Sequence, residues 1–190
     1  LYTDGVKREH SSKRDEQIVS VHEAGHCLIS LLLDLPIAKV SNIPYSSGVG
    51  GVTLPDLDDI GEQKLKFESE YIKDIKVLLA GKCAEQIVFG EHTPGCQNDV
   101  DKATNTIISM QTSFVFDDKH LVSEEELIKL GLTKEISKST IDKCNKLLEE
   151  YNKDVIKMLT DNRDKLDTLT KMLLDKKTVV EPTLEMLSSS

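Results

Sequence analysis

The chain has 190 residues, of which 38% are hydrophobic and 30% are charged, which is enough apolar material for a core and excludes an intrinsically disordered chain. Its net charge of −9 argues against nucleic acid as the main partner, because phosphate contacts need clustered Lys and Arg. No apolar stretch approaches the ~18–20 residues that cross a bilayer, so we expect no membrane contact by this chain itself.

The first predicted elements are one helix and two short strands. Ser12 followed three residues later by Asp15 resembles a capping box, and it predicts a helix over residues 15–33. Two β-favouring runs follow at 39–43 and 49–54, separated by a Pro-Tyr-Ser-Ser-Gly stretch that is typical of a turn. These runs predict a small β-hairpin or a pair of edge strands.

The rest of the chain is predicted to be helical. Apolar residues recur at helical spacing over 62–89, over 98–113, and from 133 almost to the end, where two helices pack together. The side chains on the predicted apolar faces include Phe67, Tyr71, Ile75, Leu78, Leu79, Val100, Ala103, Ile107, Met110, Ile141, Leu147, Leu148, Tyr151, Val155, Ile156, Leu159, Leu166, Leu169, Met172 and Leu173. The predicted fold class is therefore mainly α, with five or six helices and a small β element beside the first helix.

The four cysteines are Cys27, Cys83, Cys96 and Cys144, and no two of them form a C-x-x-C pair. Their wide spacing argues against a structural zinc site made of cysteines. We expect reduced, mostly buried thiols, which indicates a soluble domain in a reducing compartment.

The segment His22-Glu23-Ala24-Gly25-His26 carries the clearest chemistry in the sequence. Residues four apart lie on one face of a helix, so both imidazoles can bind one Zn²⁺ ion. Glu23 projects beside that position, where it can act as the general base of a metallopeptidase. Gly25 costs about 1 kcal/mol in a helix relative to Ala, which is reasonable where another backbone or a substrate comes close. The structural alternative is a helix that carries two surface histidines by chance.

A catalytic zinc ion needs a third protein ligand. Leu32 stands six residues after His26, where the metzincin extension would need a histidine, so the third ligand comes from elsewhere. The candidates by residue type are His10, Glu85, His92 and Asp99. Spacing does not choose among them, because each also has a structural interpretation as a tail or loop histidine, a helix-surface carboxylate, or a carboxylate at a helix N-terminus.

Several segments together resemble the peptidase domain of the FtsH family of membrane-anchored AAA+ zinc proteases. Residues 22–26 are similar to the family's zinc motif, and Gly-Gly-Val-Thr-Leu-Pro at 50–55 is similar to its substrate-side strand. Residues 79–90 are similar to its Gly-Gly-Arg-Ala-Ala-Glu-Glu-x-x-Phe-Gly segment, and residues 93–104 to its Thr-x-Gly-Ala-x-Asn-Asp-x-x-x-Ala-Thr segment. The likeness extends over about residues 19–174, with these motifs in the family's order.

The resemblance implies roles for individual residues. Asp99 stands at the position of the family's third zinc ligand, so His22, His26 and Asp99 are expected to bind Zn²⁺, with Glu23 as the catalytic base. Glu85 is then expected to be a structural carboxylate near the site. The strand at 50–54 is expected to present an open edge to which an extended peptide adds through main-chain hydrogen bonds.

The resemblance also implies a domain organisation. Residues 1–190 are expected to form a single FtsH-type zinc peptidase domain, with the metal site and substrate strand in 1–113 and a helical part in 133–190. No G-x-x-x-x-G-K-[ST] phosphate loop occurs in the chain, so an AAA+ ATPase domain would belong to a longer protein. Full-length family members are membrane-anchored and are expected to form homo-hexamers.

The sequence thus predicts a zinc-dependent endopeptidase that cleaves unfolded or extended polypeptide. One alternative is a non-catalytic helical assembly module with a structural metal, although such a site has no use for Glu23 as a base. A second alternative is a metallohydrolase that cleaves amides or esters of another substrate class with the same helix.

Overall fold

The structure, a computed structural model, describes residues 12–44, 50–55, 65–112, 129 and 134–188. Six α-helices, one short 3₁₀ turn and three strands lie within these residues, which confirms the predicted mainly-α fold with a small β element. The elements are α1 (Lys13–Leu32), β1 (Ile37–Ser41), β2 (Val52–Pro55), α2 (Glu68–Phe89), the 3₁₀ turn (Pro94–Cys96), α3 (Gln97–Thr112), α4 (Lys134–Asp161), α5 (Arg163–Lys176), β3 (Thr178–Val180) and α6 (Leu184–Leu187). Among the described helices, none combines the length and the apolar character that a bilayer span requires.

The hydroxyl of Ser12 caps the first turn of helix α1, as the sequence predicts. Ser12 has extended backbone geometry, and its hydroxyl accepts a hydrogen bond from the backbone N–H of Asp15 at 3.1 Å. This bond satisfies one of the free donors in the first helical turn. The helix starts at Lys13, two residues earlier than predicted, and its second half is buried on nearly every side. The site residues on α1 therefore lie in the core.

Helices α1 and α2 pack in close contact at Gly25. A Cβ atom at this position would lie 2.6 Å from the Cβ of Ala84 and 2.7 Å from the backbone oxygen of Ala80. Both distances are too short for real side chains, so the two helices approach this closely because residue 25 has no side chain. The expectation that another backbone comes near Gly25 is confirmed.

The three strands form one antiparallel sheet in the order β2-β1-β3. The two predicted strands do pair, with Val40 opposite Thr53, although β1 ends at Ser41 and residue 49 lies outside the described residues. Strand β3 and helix α6 were not predicted, and the expectation of helix almost to the end of the chain is wrong. A strand forms at Thr178–Val180 because these residues pair with β1 and bury the side chain of Val179.

Two apolar positions predicted to face the core are exposed. Phe67 is 80% exposed because it precedes the first residue of α2, where its backbone N–H donates to the carboxylate of Glu70 as a helix cap. Ile141 is 57% exposed because it lies near the start of α4, and Cys144 is the first buried residue among the α4 side chains described. In each case the helical spacing of apolar residues continues past the part of the helix that packs against another element.

The four cysteines are buried and no disulfide joins any two of them, as predicted. Burial raises the pKa of both Cys27 and Cys83 to about 12, so these thiols stay protonated at neutral pH. They behave as small apolar residues of the core.

Candidate metal centre

The two histidines of the H-E-x-x-H segment lie side by side on α1. Their Nε2 atoms are 2.9 Å apart, and the two rings meet edge to face. Helical spacing accounts for this arrangement, because residues four apart project from the same face of the helix. Both side chains are largely buried, at the surface of α1 that faces α2 and α3.

Asp99, in the first turn of α3, completes a cluster of three possible ligands. Its Oδ2 atom lies 3.3 Å from Nε2 of His22 and 3.3 Å from Nε2 of His26. These three residues are the group of metal-ligating side chains that converge within the part of the chain that the structure describes. The 3₁₀ turn just before α3, capped by the Thr93 hydroxyl, delivers Asp99 to this position.

The hydrogen bonds at Nδ1 fix the tautomers of both rings. Nδ1 of His26 lies 2.7 Å from the backbone oxygen of Val77, which can only accept, so this nitrogen carries a proton. Nδ1 of His22 lies 2.7 Å from Oε1 of Glu85, and it donates in the same way to that carboxylate. When it is neutral, each ring therefore presents an unprotonated Nε2 toward Asp99.

Two imidazole nitrogens and a carboxylate oxygen converge on one point, which is unfavourable unless a proton or a metal ion lies between them. Zinc bonds of about 2.0–2.2 Å at tetrahedral angles place ligand atoms roughly 3.3–3.5 Å apart, and the three distances here are 2.9, 3.3 and 3.3 Å. The donor set of His22, His26 and Asp99 therefore fits a bound zinc ion, with a fourth position left for water or substrate.

The charges around this cluster shift the pKa values of its members. Burial by itself lowers the pKa of His22, but hydrogen bonds to Asp99 and Glu85 outweigh it and raise that pKa to about 9. Burial opposes ionisation of Asp99 and of Glu85, yet their bonds to the histidine hold both carboxyl pKa values below the ordinary range. Without a metal, His22 is therefore protonated at neutral pH, while Asp99 and Glu85 stay charged, and these two carboxylates favour a cation at this position.

Glu85 supports the cluster without joining it. Its side chain is 1% exposed; Oε1 accepts from His22, and Oε2 accepts the backbone N–H of Thr93 at 2.6 Å. A partner of this kind orients a metal-binding histidine and fixes its tautomer. Of the other candidate ligands, His92 is exposed and lies next to Cys96, outside the converging group, and His10 lies outside the described residues.

Glu23 lies on α1 between the two histidines in sequence, and strand β2 covers it. The carboxylate is 7% exposed, and its Oε2 accepts a hydrogen bond from the hydroxyl of Thr53 at 2.8 Å. Burial raises the pKa of Glu23, and the charges of His26 and His22 oppose that rise. A buried carboxylate with a raised pKa beside a cation pocket is suited to accepting and returning a proton.

Three features of the site were not predicted from the sequence. They are the Thr53 bond to Glu23, the Val77 carbonyl bond to His26, and the packing of the His22 ring on Gly81. A Cβ atom at Gly81 would lie 2.4 Å from that ring, so this glycine provides the space that the imidazole occupies. A glycine inside a strongly helical segment is the sequence signal that could have indicated a close contact there.

Comparisons with known proteins identify the family of this chain. The model of peptidase family M41 matches residues 9–187. Proteins called ATP-dependent zinc metalloprotease FtsH from Lancefieldella parvula and Mycobacterium leprae are 31% and 32% identical, over 92% and 94% of this chain but only 29% and 24% of their own length. A Clostridium perfringens protein of the same name is 29% identical, over 89% of this chain and 25% of its own length. The chain therefore spans less than a third of these relatives, and it belongs to peptidase family M41.

Proposed function

We propose that the chain is a zinc-dependent endopeptidase domain that cleaves unfolded or extended polypeptides. The observation that carries this proposal is the convergence of two imidazole nitrogens and a carboxylate oxygen, with the buried carboxylate of Glu23 on the residue next to His22. Membership of a family whose relatives are called zinc metalloproteases supports the same chemistry.

In this proposal His22, His26 and Asp99 hold the metal, and Glu23 handles the proton. A bound zinc ion supplies a Lewis acid that polarises the scissile carbonyl and lowers the pKa of water to about 7. Glu23 accepts a proton from the attacking water at its carboxylate and returns it to the leaving nitrogen of the peptide. Glu85 holds the His22 ring in the tautomer that leaves Nε2 free for the metal.

Strand β2 is the proposed docking edge for the substrate. In the described sheet β2 pairs with β1 on one side only, and Thr53 on β2 touches Glu23. An extended peptide that added to the outer edge of β2 would gain main-chain hydrogen bonds and run past the candidate base. Main-chain recognition of this kind accepts many side chains, which suits a broad range of unfolded substrates.

We further propose that this domain works within a longer protein. Residues 1–190 form one peptidase domain, with the metal site in 1–113 and supporting helices in 133–190. The relatives are called ATP-dependent, and the chain matches less than a third of their length. An AAA+ ATPase domain elsewhere in the full protein would then supply unfolded substrate, and six copies would form the working assembly.

Cleavage of an unfolded polypeptide such as reduced, labelled casein tests the proposal. We expect the purified chain to cleave it, to lose activity with a zinc chelator, and to regain activity when zinc is restored. Cleavage that survives complete metal removal would contradict the mechanism. A fully zinc-loaded chain that cleaves no peptide would instead favour the assembly module, and one that cleaves only ester substrates would favour a hydrolase of another class.

A further inference from the structure

Strand β2 and the residue before it pack against the side chain of Glu23. The hydroxyl of Thr53 donates to Oε2 at 2.8 Å. A Cβ atom at Gly51 would lie 2.6 Å from Cγ of Glu23 and 2.8 Å from Oε1, so the glycine backbone packs directly against the same side chain. Gly51 and Thr53 are two residues apart, and alternation along an extended chain places them on the same face.

The hydroxyl of Thr53 restricts a motion that the carboxylate would otherwise have. The terminal torsion of a glutamate side chain is broad, so packing alone does not choose which oxygen points in a given direction. A donor fixed on a strand and bonded to Oε2 makes that choice, so the two oxygens of Glu23 are no longer interchangeable. The orientation of a reacting group affects the rate of catalysis, because a displacement of about 1 Å can lower that rate on the order of 100-fold.

We infer that Thr53 is a positioning residue for Glu23, and that it sets the orientation in which this carboxylate accepts a proton. The inference rests on the proposed endopeptidase function. Because Thr53 belongs to the strand whose outer edge is the proposed peptide-binding edge, one element both aligns the substrate and orients the base. A purely structural reading, in which Thr53 only fills space on a β-strand, makes a different prediction for its variants.

Two substitutions of Thr53 separate these readings. Thr53→Val keeps the size and the β-branched shape and removes only the hydroxyl, whereas Thr53→Ser keeps the hydroxyl. Thr178→Val is the matched control, because Thr178 is also a half-buried threonine of the same sheet, and its hydroxyl bonds to Ser41 away from Glu23.

We expect Thr53→Val to lower kcat by roughly 10–100-fold, as loss of an orienting partner typically does, with KM and zinc content close to those of the parent. Thr53→Ser should recover most of the loss, and Thr178→Val should keep the parent's kcat. An unchanged kcat in Thr53→Val would overturn the inference. Equal impairment in Thr53→Ser, or a change confined to KM, would also overturn it by assigning Thr53 to packing or to peptide binding.

A thermal double-mutant cycle gives a readout that does not depend on activity. Loss of a hydrogen bond to Glu23 should lower the Tm of Thr53→Val by about 2–4 °C, and the same substitution should have a much smaller effect in a Glu23→Ala background. If Thr53→Val lowered the Tm equally in the parent and in the Glu23→Ala background, the inferred interaction between Thr53 and Glu23 would be overturned. A parent that binds zinc without cleaving peptide would refute the proposed function, while this cycle would still decide whether Thr53 orients Glu23.

Discussion

Nδ1 of His22 lies 2.7 Å from Oε1 of Glu85, although the two residues are 63 positions apart in the chain and belong to different helices. The second oxygen of Glu85 accepts the backbone N–H of Thr93, which begins the turn that leads to Asp99. One buried carboxylate on α2 therefore links the two segments that carry the candidate metal ligands, α1 and the turn that leads into α3. The proposed zinc site would depend on Glu85 even though this residue contributes no ligand atom.

Glu85→Gln should weaken zinc binding by roughly 10–100-fold. A glutamine has one side-chain acceptor oxygen, so its amide group would face one of the two N–H donors that now bond to the carboxylate. Glu91→Gln, an exposed position near the same end of α2, is the control. Competition with a metallochromic chelator measures the affinity, and an unchanged value in Glu85→Gln would show that the His22 ring is held by its packing on Gly81 instead.

Asp99→Asn should lower zinc affinity by more than about 100-fold, because it replaces a charged ligand rather than an outer partner. Asp101→Asn is the matched control on α3, since that carboxylate is exposed and bonds to Gln97. Metal analysis after dialysis compares the two variants. Full zinc occupancy in Asp99→Asn would remove Asp99 from the proposed ligand set.

The helices and part of the site could be predicted because their signals are local. The Ser12 cap and the pair of His22 and His26 each depend on residues within one turn of helix. The third ligand could not be chosen from spacing, because Asp99 reaches the histidines only through tertiary packing, in which α1 and α3 both pack against α2, and only the family resemblance indicated it. Strand β3 was not predicted because it too depends on tertiary contacts. Its three residues are too few to show a strand pattern, and the strand forms by pairing with β1.

Gly25→Ala should destabilise the fold by about 1–3 kcal/mol, as overpacking of a core does. The helix propensity of alanine would favour the variant by about 1 kcal/mol, but the added Cβ would lie 2.7 Å from the backbone oxygen of Ala80, which cannot move cheaply. Urea denaturation measures the free energy of unfolding. An increase in that free energy would show that α1 and α2 separate easily at this contact.

The purified chain should digest an unfolded protein and leave a stably folded one intact, with or without ATP. A folded domain resists opening by about 5–15 kcal/mol, and an extended strand must reach the site before cleavage. A destabilised variant of the same reporter is the control, because it shares the cleavage sequences. ATP-stimulated digestion of the stable reporter would contradict the expectation that substrate unfolding resides elsewhere in the full protein.

Glu23 is proposed to act as a base beside a metal that it does not bind, and Glu23→Gln separates these two roles. Glutamine keeps the shape and an oxygen for the Thr53 hydroxyl, but it does not accept a proton at neutral pH.

The measurement is the rate of cleavage of an unfolded peptide by parent and variant at equal zinc content. We expect the rate to fall by roughly 10²–10⁴-fold, the contribution of a positioned general base, while zinc occupancy and Tm stay close to those of the parent. A zinc-loaded Glu23→Gln variant that cleaves at the parent's rate would contradict the proposed mechanism.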